Sequence, residues 1–119
     1  MICRIWHGWT RPEEADAYER LLREKVFPQI RSRGIRGFAE IDLLRRETET
    51  ETEFATLMWF DTLEAVREFA GADVERAVVP PDALELLARF DDRSAHFAVL
   101  VRGPAHLART YIAGTSPTH

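Results

Sequence analysis

The sequence predicts an α+β fold whose elements follow the order strand, helix, strand, strand, helix, strand. Two amphipathic segments follow candidate helix caps at Thr10 and Asp61, and a short run rich in apolar and β-branched residues precedes each cap. A polar segment at 45–53 separates two further apolar runs, as expected for a hairpin. Together these three observations predict one layer of strands packed against helices.

The composition predicts one globular domain without nucleic-acid or membrane partners. The chain has 119 residues, of which 45% are hydrophobic and 30% are charged, and its net charge of −4 disfavours a nucleic-acid surface. No apolar run approaches the ~20 residues of a membrane span. Arg4 and His7 interrupt the N-terminal apolar run, which argues against a signal peptide. The single cysteine, Cys3, suits a reducing compartment, so we expect a cytoplasmic location and a buried thiol.

Four strands are predicted from the apolar runs. The first (2–8) and third (54–60) are apolar on both faces, as in strands buried on both sides, and the second covers 35–44. The fourth is expected at 94–101. The alternating Glu and Thr residues at 45–53 favour a solvated hairpin tip over a cation site.

The first helix is predicted to begin at Thr10. Thr10 and Glu13 have the spacing of a capping box, and Pro12 fits the first turn because its missing N–H is not needed there. Pro28 should kink or end the helix, and Gly34 is a suitable terminator. The stripe that we expect to face the sheet comprises Ala15, Tyr18, Leu21, Leu22 and Val26.

Asp61 and Glu64 form a second N-cap signature, and Gly71 should end the helix that follows. We expect this helix to bury Ala65, Val66, Phe69 and Ala70. A helical turn is expected at 73–78 and a short third helix at 82–90, with Ala83, Leu84, Leu87 and Phe90 facing inward.

The order of elements is therefore βαββαβ, a split β-α-β arrangement. Right-handed crossovers lead us to place the first strand parallel to the third, with the fourth strand antiparallel on its other side. Two helices cover only one face of the sheet, so an apolar patch should remain on the other. We expect a homodimer whose sheets face each other; the alternative is a monomer whose C-terminal tail covers the patch. The predicted patch comprises Trp6, Met58, Phe60, Phe97, Val99 and Val101.

Five segments of the chain form a recognisable pattern, namely 5–8, 58–65, 69–71, 90–91 and 96–99. Through them, residues 1–102 resemble the antibiotic biosynthesis monooxygenase (ABM) domain family. The resemblance implies a ferredoxin-like βαββαβ fold with an antiparallel sheet, paired into a dimeric α+β barrel, and leaves 103–119 as a tail. It also implies a pocket between the sheet and helices of each subunit.

The candidate catalytic residues are His7, His96 and Trp59. If Ile2 pairs near Val101, His7 lies opposite His96, and a parallel third strand brings Trp59 close to His7. A register slip of one residue would reverse these faces. On this assumption the three side chains share one apolar pocket suited to a planar aromatic ligand. The predicted substrate-binding walls are Tyr18, Leu22, Leu57 and Phe69.

In this pocket either His7 or His96 would take a phenolic proton while Trp59 positions the ring. The resulting electron-rich phenolate can pass an electron to dioxygen without a metal or flavin, which is the chemistry that monooxygenases of the ABM family suggest. The leading prediction is a cofactor-independent monooxygenase acting on an aromatic or polyketide-type phenol. The alternatives are histidines that serve only the core or an interface, and a non-catalytic dimeric barrel that binds a small apolar ligand or partner.

Haem-degrading relatives of the ABM family place an iron-ligating histidine after the second helix. The matching stretch here, 73–80, contains no histidine, cysteine or tyrosine. Two histidines without a nearby carboxylate are also a thin basis for another metal site. We therefore predict neither a metal nor a cofactor.

Overall fold

The computed structural model describes residues 1–105, which form one five-stranded antiparallel sheet with helices on one face. The strands run in the order β2-β3-β1-β4, with β5 also paired to β1, so the predicted α+β class and ferredoxin-like order are confirmed. The predicted tail, 103–119, lies outside the described residues from residue 106 onward. The strands are β1 (Ile2–Thr10), β2 (Phe38–Glu47), β3 (Thr52–Phe60), β4 (Leu87–Phe90) and β5 (Ala95–Ala98).

β1 and β3 are antiparallel, so the predicted parallel pairing was wrong. Ile2 pairs with Phe60 at one end of the ladder, and Thr10 pairs with Thr52 at the other. The crossover helix returns the chain so that β2 runs parallel to β1, and the hairpin then reverses β3. The polar residues at 45–53 mostly extend the two hairpin strands, leaving only a short turn at 48–51.

The edge strand beside β1 is interrupted. β5 pairs with residues 2–5 of β1, whereas β4 pairs with residues 8–10, and both are antiparallel to β1. The predicted helix at 82–90 is therefore correct only as far as α4 (Pro81–Leu86), because 87–90 joins the sheet. Leu84 is 46% exposed and does not face inward. Residues 73–78 form a turn and an isolated bridge instead of the predicted helical turn.

The first helix contains a change of winding. A 3₁₀ turn (Pro12–Glu14) leads into α1 (Ala15–Leu21), a π-helical turn (Leu22–Val26) and α2 (Phe27–Ser32). The predicted Thr10 cap was wrong, because Thr10 belongs to β1 and Arg11 occupies the N-cap position without a side-chain bond. The predicted stripe is confirmed, with Ala15, Tyr18, Leu22 and Val26 all buried.

Pro28 lies inside the helix rather than at its end. A proline has no N–H, and its ring would crowd the carbonyl four residues earlier in a regular α-helix. The preceding turn is wider, since the Phe27 N–H donates to the carbonyl of Leu22, five residues back. We infer that this π turn accommodates the proline. The helix ends before Gly34, whose φ of 62° is the left-handed value expected of the predicted terminator.

Helix α3 (Leu63–Ala70) is capped by Thr62 instead of the predicted Asp61. The Thr62 Oγ1 accepts a hydrogen bond from the Ala65 N–H at 3.2 Å. Gly71 ends the helix with a φ of 95°, as predicted. None of the helices among residues 1–105 is long and apolar enough to cross a membrane.

The helices pack on one face of the sheet, here called the covered face, and leave the opposite, open face without a helix. Alternation along β1 and β3 puts Met58 and Phe60 on the covered face with α3, and Phe54 there with α1. The predicted patch was therefore wrong for Trp6, Met58 and Phe60, which lie on the covered face. Phe97 does lie on the open face, paired with the buried, free Cys3. The apolar residues of the open face are Cys3, Ile5, Leu44, Leu57, Trp59 and Phe97.

Candidate functional site

An apolar cavity lies between the covered face and the helices. It holds about 50 Å³ of space that the centre of a water-sized sphere can reach. The π turn contributes Leu22 and Val26 to the wall, so the irregular winding at that point also shapes the cavity. Most of the lining side chains are apolar. They include residues of α1, the π turn, α2, α4 and the segment at 78–80. Representative wall residues are Tyr18, Leu22, Val26, Phe69, Val79 and Ala83.

Arg4 is the charged residue of this wall. It lies in the middle of β1 on the covered face and is only 3% exposed. No carboxylate of residues 1–105 lies within 4.0 Å of it. Burial lowers the pKa of Arg4 to about 10, which still leaves it protonated at neutral pH. A buried positive charge without a counter-charge is costly unless hydrogen bonds stabilise it.

The Arg4 guanidinium is held by two backbone carbonyls and a histidine. Nη1 donates to the Val74 carbonyl, and Nη2 donates to the Arg76 carbonyl at 2.7 Å. Nη1 also lies 3.0 Å from the His96 Nε2. The guanidinium carbon sits 5.3 Å from the centre of the Phe69 ring, within cation–π distance. These contacts fix the guanidinium against the cavity wall.

His96 is the predicted catalytic residue closest to the cavity. It pairs directly with Arg4 in the sheet register, and burial, followed by the nearby Arg4 charge, lowers the pKa of His96 below its usual 6.5. The imidazole is therefore neutral near pH 7. Since the guanidinium can only donate, the His96 Nε2 is the acceptor in their contact.

Three hydroxyl-bearing residues complete the polar part of the wall, the half-buried Thr56 and the buried Ser94 and Tyr18. Ser94 is 3% exposed, and its buried Oγ has no hydrogen-bond partner within residues 1–105. Tyr18 is 1% exposed, and burial raises the pKa of Tyr18, so it is a neutral phenol. An unpaired buried hydroxyl next to a cavity can bond a ligand without first breaking a bond in the protein.

Trp6 borders the cavity and is held in place from two sides. Its indole Nε1 donates to the Asp91 carbonyl at 2.7 Å, in the interruption between β4 and β5. The ring also lies over Gly8, where an added Cβ would come within 2.9 Å of the ring. Because Gly8 has no side chain, the Trp6 ring can lie over it and reach the cavity wall.

The structure separates the predicted site residues into two groups. Tyr18, Leu22 and Phe69 line the cavity. His7, Leu57 and Trp59 lie on the open face, on the other side of the sheet. His96 lies beside Arg4, so His7 and His96 are not opposite each other. Nor is Trp59 next to His7, because Trp59 pairs with Cys3, four residues along β1 and about 13 Å away. The assumed single pocket is therefore wrong.

On the open face His7 belongs to a polar cluster. Its Nδ1 lies 2.9 Å from Glu53 Oε2, and Arg46 donates to the other Glu53 oxygen at 2.7 Å. Arg46, then His7, lowers the pKa of the Glu53 carboxyl. The His7 ring stacks on Trp9 at 6.0 Å, and the Arg89 guanidinium covers Trp9 at 3.9 Å. Among residues 1–105 no group of three or more metal-ligating side chains comes together, here or at the cavity.

Sequence reasoning missed Arg4, Trp6 and Ser94 as cavity residues. A signal was present for the first two, because Arg4 and Trp6 share a face of β1 with Gly8 by simple alternation. A lone arginine between apolar residues in a strand buried on both sides indicates a buried charge. Ser94 carried no such signal, since its position depends on how the chain resumes pairing after residue 91.

Comparison with solved structures supports the ABM-like fold. A Bacillus cereus protein, named as a candidate antibiotic biosynthesis monooxygenase, superposes with a TM-score of 0.56 at 13% identity, covering 87% of this chain and 97% of that one. The Rv0793 protein from Mycobacterium tuberculosis superposes with a TM-score of 0.55 at 21% identity, covering 87% and 98%. No protein-family model matches the chain, and no curated protein matches it. The chain therefore has an ABM-like fold.

Proposed function

We propose that this protein is a cofactor-independent monooxygenase of the ABM type that oxidises a small phenol in the cavity beneath the covered face. The observation behind this proposal is the cavity itself, which is apolar apart from the buried Arg4, Ser94 and Tyr18 and the half-buried Thr56. Apolar walls with a few placed polar groups are the usual form of a small-molecule site. The fold is also the one found in a solved candidate antibiotic biosynthesis monooxygenase.

The reaction we propose needs only the phenol and dioxygen. A bound hydroquinone, as its phenolate, gives one electron to O₂, and the resulting radical pair combines at a ring carbon as a hydroperoxide. Loss of water then leaves hydroxybenzoquinone. One oxygen atom of O₂ ends in the product and the other ends in water, so that atoms and electrons balance. The protein's part is to hold the anionic ring and to keep bulk water away from it.

Of the predicted catalytic residues, we propose that His96 acts on the substrate through Arg4. A neutral imidazole beside a guanidinium is a weak base, so the phenolic proton passes to solvent as the substrate binds. His96 then serves to hold Arg4 toward the cavity. We propose that His7 and Trp59 belong instead to the interaction surface on the open face.

Oxygen uptake tests this function, with hydroquinone as the substrate and ¹⁸O₂ to label the product. We expect one labelled oxygen in the hydroquinone product. His96→Gln should lower turnover, whereas His7→Gln, a matched change on the open face, should leave it close to wild type. Uptake equal to buffer, or equal losses in both variants, would contradict the proposal.

We further propose that the protein is a homodimer joined through the open face. The centre of that face is apolar, formed by Cys3, Ile5, Leu57 and Trp59 on β1 and β3. On the two edge strands, Phe97 is 55% exposed and Leu44 is 49% exposed. Charged pairs flank this centre, including Glu53 with Arg46 and Glu40 with Arg102. An apolar centre inside a charged rim is the usual form of a protein interface. A dimer in light scattering at micromolar concentration is the expected result, and a 13.7 kDa particle would refute it.

The second candidate function is a non-catalytic dimeric barrel that retains a small apolar ligand. The small cavity favours this candidate, because 50 Å³ leaves little room for a substrate and dioxygen together. Native mass spectrometry of freshly purified protein distinguishes the two. A retained aromatic molecule without ¹⁸O incorporation supports the binding role.

We expect the protein to act in the cytoplasm.

A further inference from the structure

We propose that the ligand of the cavity is a single-ring aromatic carboxylate, whose oxygens pair with Arg4. This inference rests on the proposed function only in taking the cavity as the ligand site. It goes further because it states the charge, the size and the anchoring group of the ligand.

The first argument is the count of donors on Arg4. A guanidinium has five N–H groups. Nη1 uses two of them, on the Val74 carbonyl and the His96 Nε2, and Nη2 uses one on the Arg76 carbonyl. The Nε–H and one N–H of Nη2 therefore have no partner within residues 1–105. Only 3% of the Arg4 surface is exposed, so these two donors have little access to bulk water.

The second argument is charge. Every contact of Arg4 described above is to a neutral carbonyl, a neutral imidazole or an aromatic ring. A buried charge in such surroundings is retained at a cost that a bound anion would offset. A carboxylate can accept two N–H bonds from one guanidinium, whereas a phenolate offers a single oxygen. The two unpaired donors therefore fit a carboxylate best.

The third argument is the neighbouring hydroxyl. Ser94 lines the same cavity, and its Oγ is buried without a partner in residues 1–105. A carboxylate held by Arg4 has lone pairs left over, and a serine hydroxyl can donate to one of them. Arg4 and the unpaired Ser94 hydroxyl thus lie on the same cavity wall, and both can donate hydrogen bonds to one carboxylate.

The fourth argument is size. An apolar cavity of about 150 Å³ is enough to bind benzene. This cavity holds about 50 Å³, so a ligand of one ring already requires its walls to move. The segment at 78–80 lies at the protein surface as well as on the cavity wall, since Val78 is 44% exposed. A three-ring ligand would require the core itself to open.

A binding titration tests the inference without relying on turnover. Benzoate and its neutral isostere benzamide are titrated into the full-length protein, followed by ¹⁵N NMR at the Arg4 Nε–H and Trp6 Nε1–H signals. Wild type should bind benzoate at least about tenfold more tightly than benzamide, since hydrogen bonds to a charged group are stronger than those to a neutral one. Shifts should appear at both signals.

Three variants make the test specific. Arg4→Lys keeps the charge but loses the paired donors, and should reduce the preference for benzoate to a few-fold. Ser94→Ala removes a hydroxyl without a partner, so it should fold normally and weaken benzoate binding by about two- to tenfold. Arg89→Met, which removes an arginine from the open face, should change nothing.

Equal affinity for benzoate and benzamide would overturn the inference. So would unchanged benzoate binding in folded Arg4→Lys and Ser94→Ala variants, or shifts confined to the open face. The proposed monooxygenase fails by a different result: charge-selective binding without ¹⁸O incorporation removes the oxygenase and leaves this inference standing. Labelled product without any preference for benzoate over benzamide would overturn this inference and support the monooxygenase.

Discussion

The two faces of the sheet carry similar apolar residues but differ in how far these residues are buried. On the covered face Phe54 and Phe60 are fully buried, because α1 and α3 pack on them. On the open face Phe97 is 55% exposed, although it too is a phenylalanine in a strand paired with β1. Apolar side chains alone do not determine which face becomes the core. The placement of the helices does, and it leaves the open face available to a second copy of the chain.

The largest expected effect comes from truncating a phenylalanine on each face. Phe60→Ala should lower the free energy of unfolding by about 3–5 kcal/mol, because it leaves a cavity among packed rings. Phe97→Ala should cost less than about 1 kcal/mol at low protein concentration. Urea unfolding at several protein concentrations measures both.

Their concentration dependence sharpens the contrast. Only the Phe97→Ala loss should grow as the protein concentration rises, because a dimer adds its association energy to stability. Equal losses at every concentration would mean that the two faces are equivalent and that the open face is not an interface.

A charge placed on the open face tests the dimer directly. Phe97→Glu should raise the dissociation constant by at least about 30-fold, the effect of losing roughly 2 kcal/mol from the apolar part of an interface. Analytical ultracentrifugation measures the change. Leu84→Glu is the matched control, since Leu84 is 46% exposed on α4, and it should leave the association unchanged. The same shift in both variants would show that the effect is one of general charge.

The two faces also differ in how far the sequence could predict them. Periodicity within each helix correctly placed Tyr18, Leu22 and Phe69 on the cavity wall, because a helix with one apolar stripe turns that stripe toward the sheet. Alternation within β3 likewise placed Leu57 and Trp59 together on one face, as the structure has them. These predictions depend only on local geometry.

The relation between the two groups could not be predicted in the same way. Strands that are apolar on both sides do not show which face the helices will cover. The position of His96 depends on the break at 91–94, where the Asp91 N–H donates to the His7 carbonyl and the edge strand loses its register. The predicted pairing of Ile2 with Val101 is three residues away from the observed pairing of Ile2 with Ala98, and this odd shift put His96 on the wrong face.

Gly8 tests how tightly the covered face is packed around the cavity. A Cβ at this position would lie 2.9 Å from both a Leu87 methyl and the Trp6 ring. Gly8→Ala should therefore cost about 1–3 kcal/mol and shift the Trp6 Nε1–H signal, because the ring cannot yield as easily as the methyl. Gly103→Ala is the control, with nothing within 4 Å of its Cβ, and should be neutral. A neutral Gly8→Ala would mean that Trp6 moves freely and is not a fixed wall.

The smallest expected effect is a pH dependence from the covered face. The pKa of His96 is lowered from 6.5 by burial and by Arg4, so the unfolded chain takes up the proton first as the pH falls. Stability should therefore decline as the pH drops below about 6.5, toward the lower pKa of the folded protein. Carboxyls such as Glu53, whose pKa is lowered from 4.5, add their own loss only in a more acidic range.

Thermal unfolding between pH 5 and 8 isolates the histidine window, and His96→Gln should flatten the slope there. Protonation of His96 would turn its Nε2 acceptor into a donor facing the Arg4 N–H, so the same pH range should also loosen Arg4. Broadening or movement of the Arg4 Nε–H signal below pH 6.5 is the expected sign. An unchanged slope in His96→Gln, with the Arg4 signal constant, would show that the contact between the two side chains does not hold the guanidinium in place.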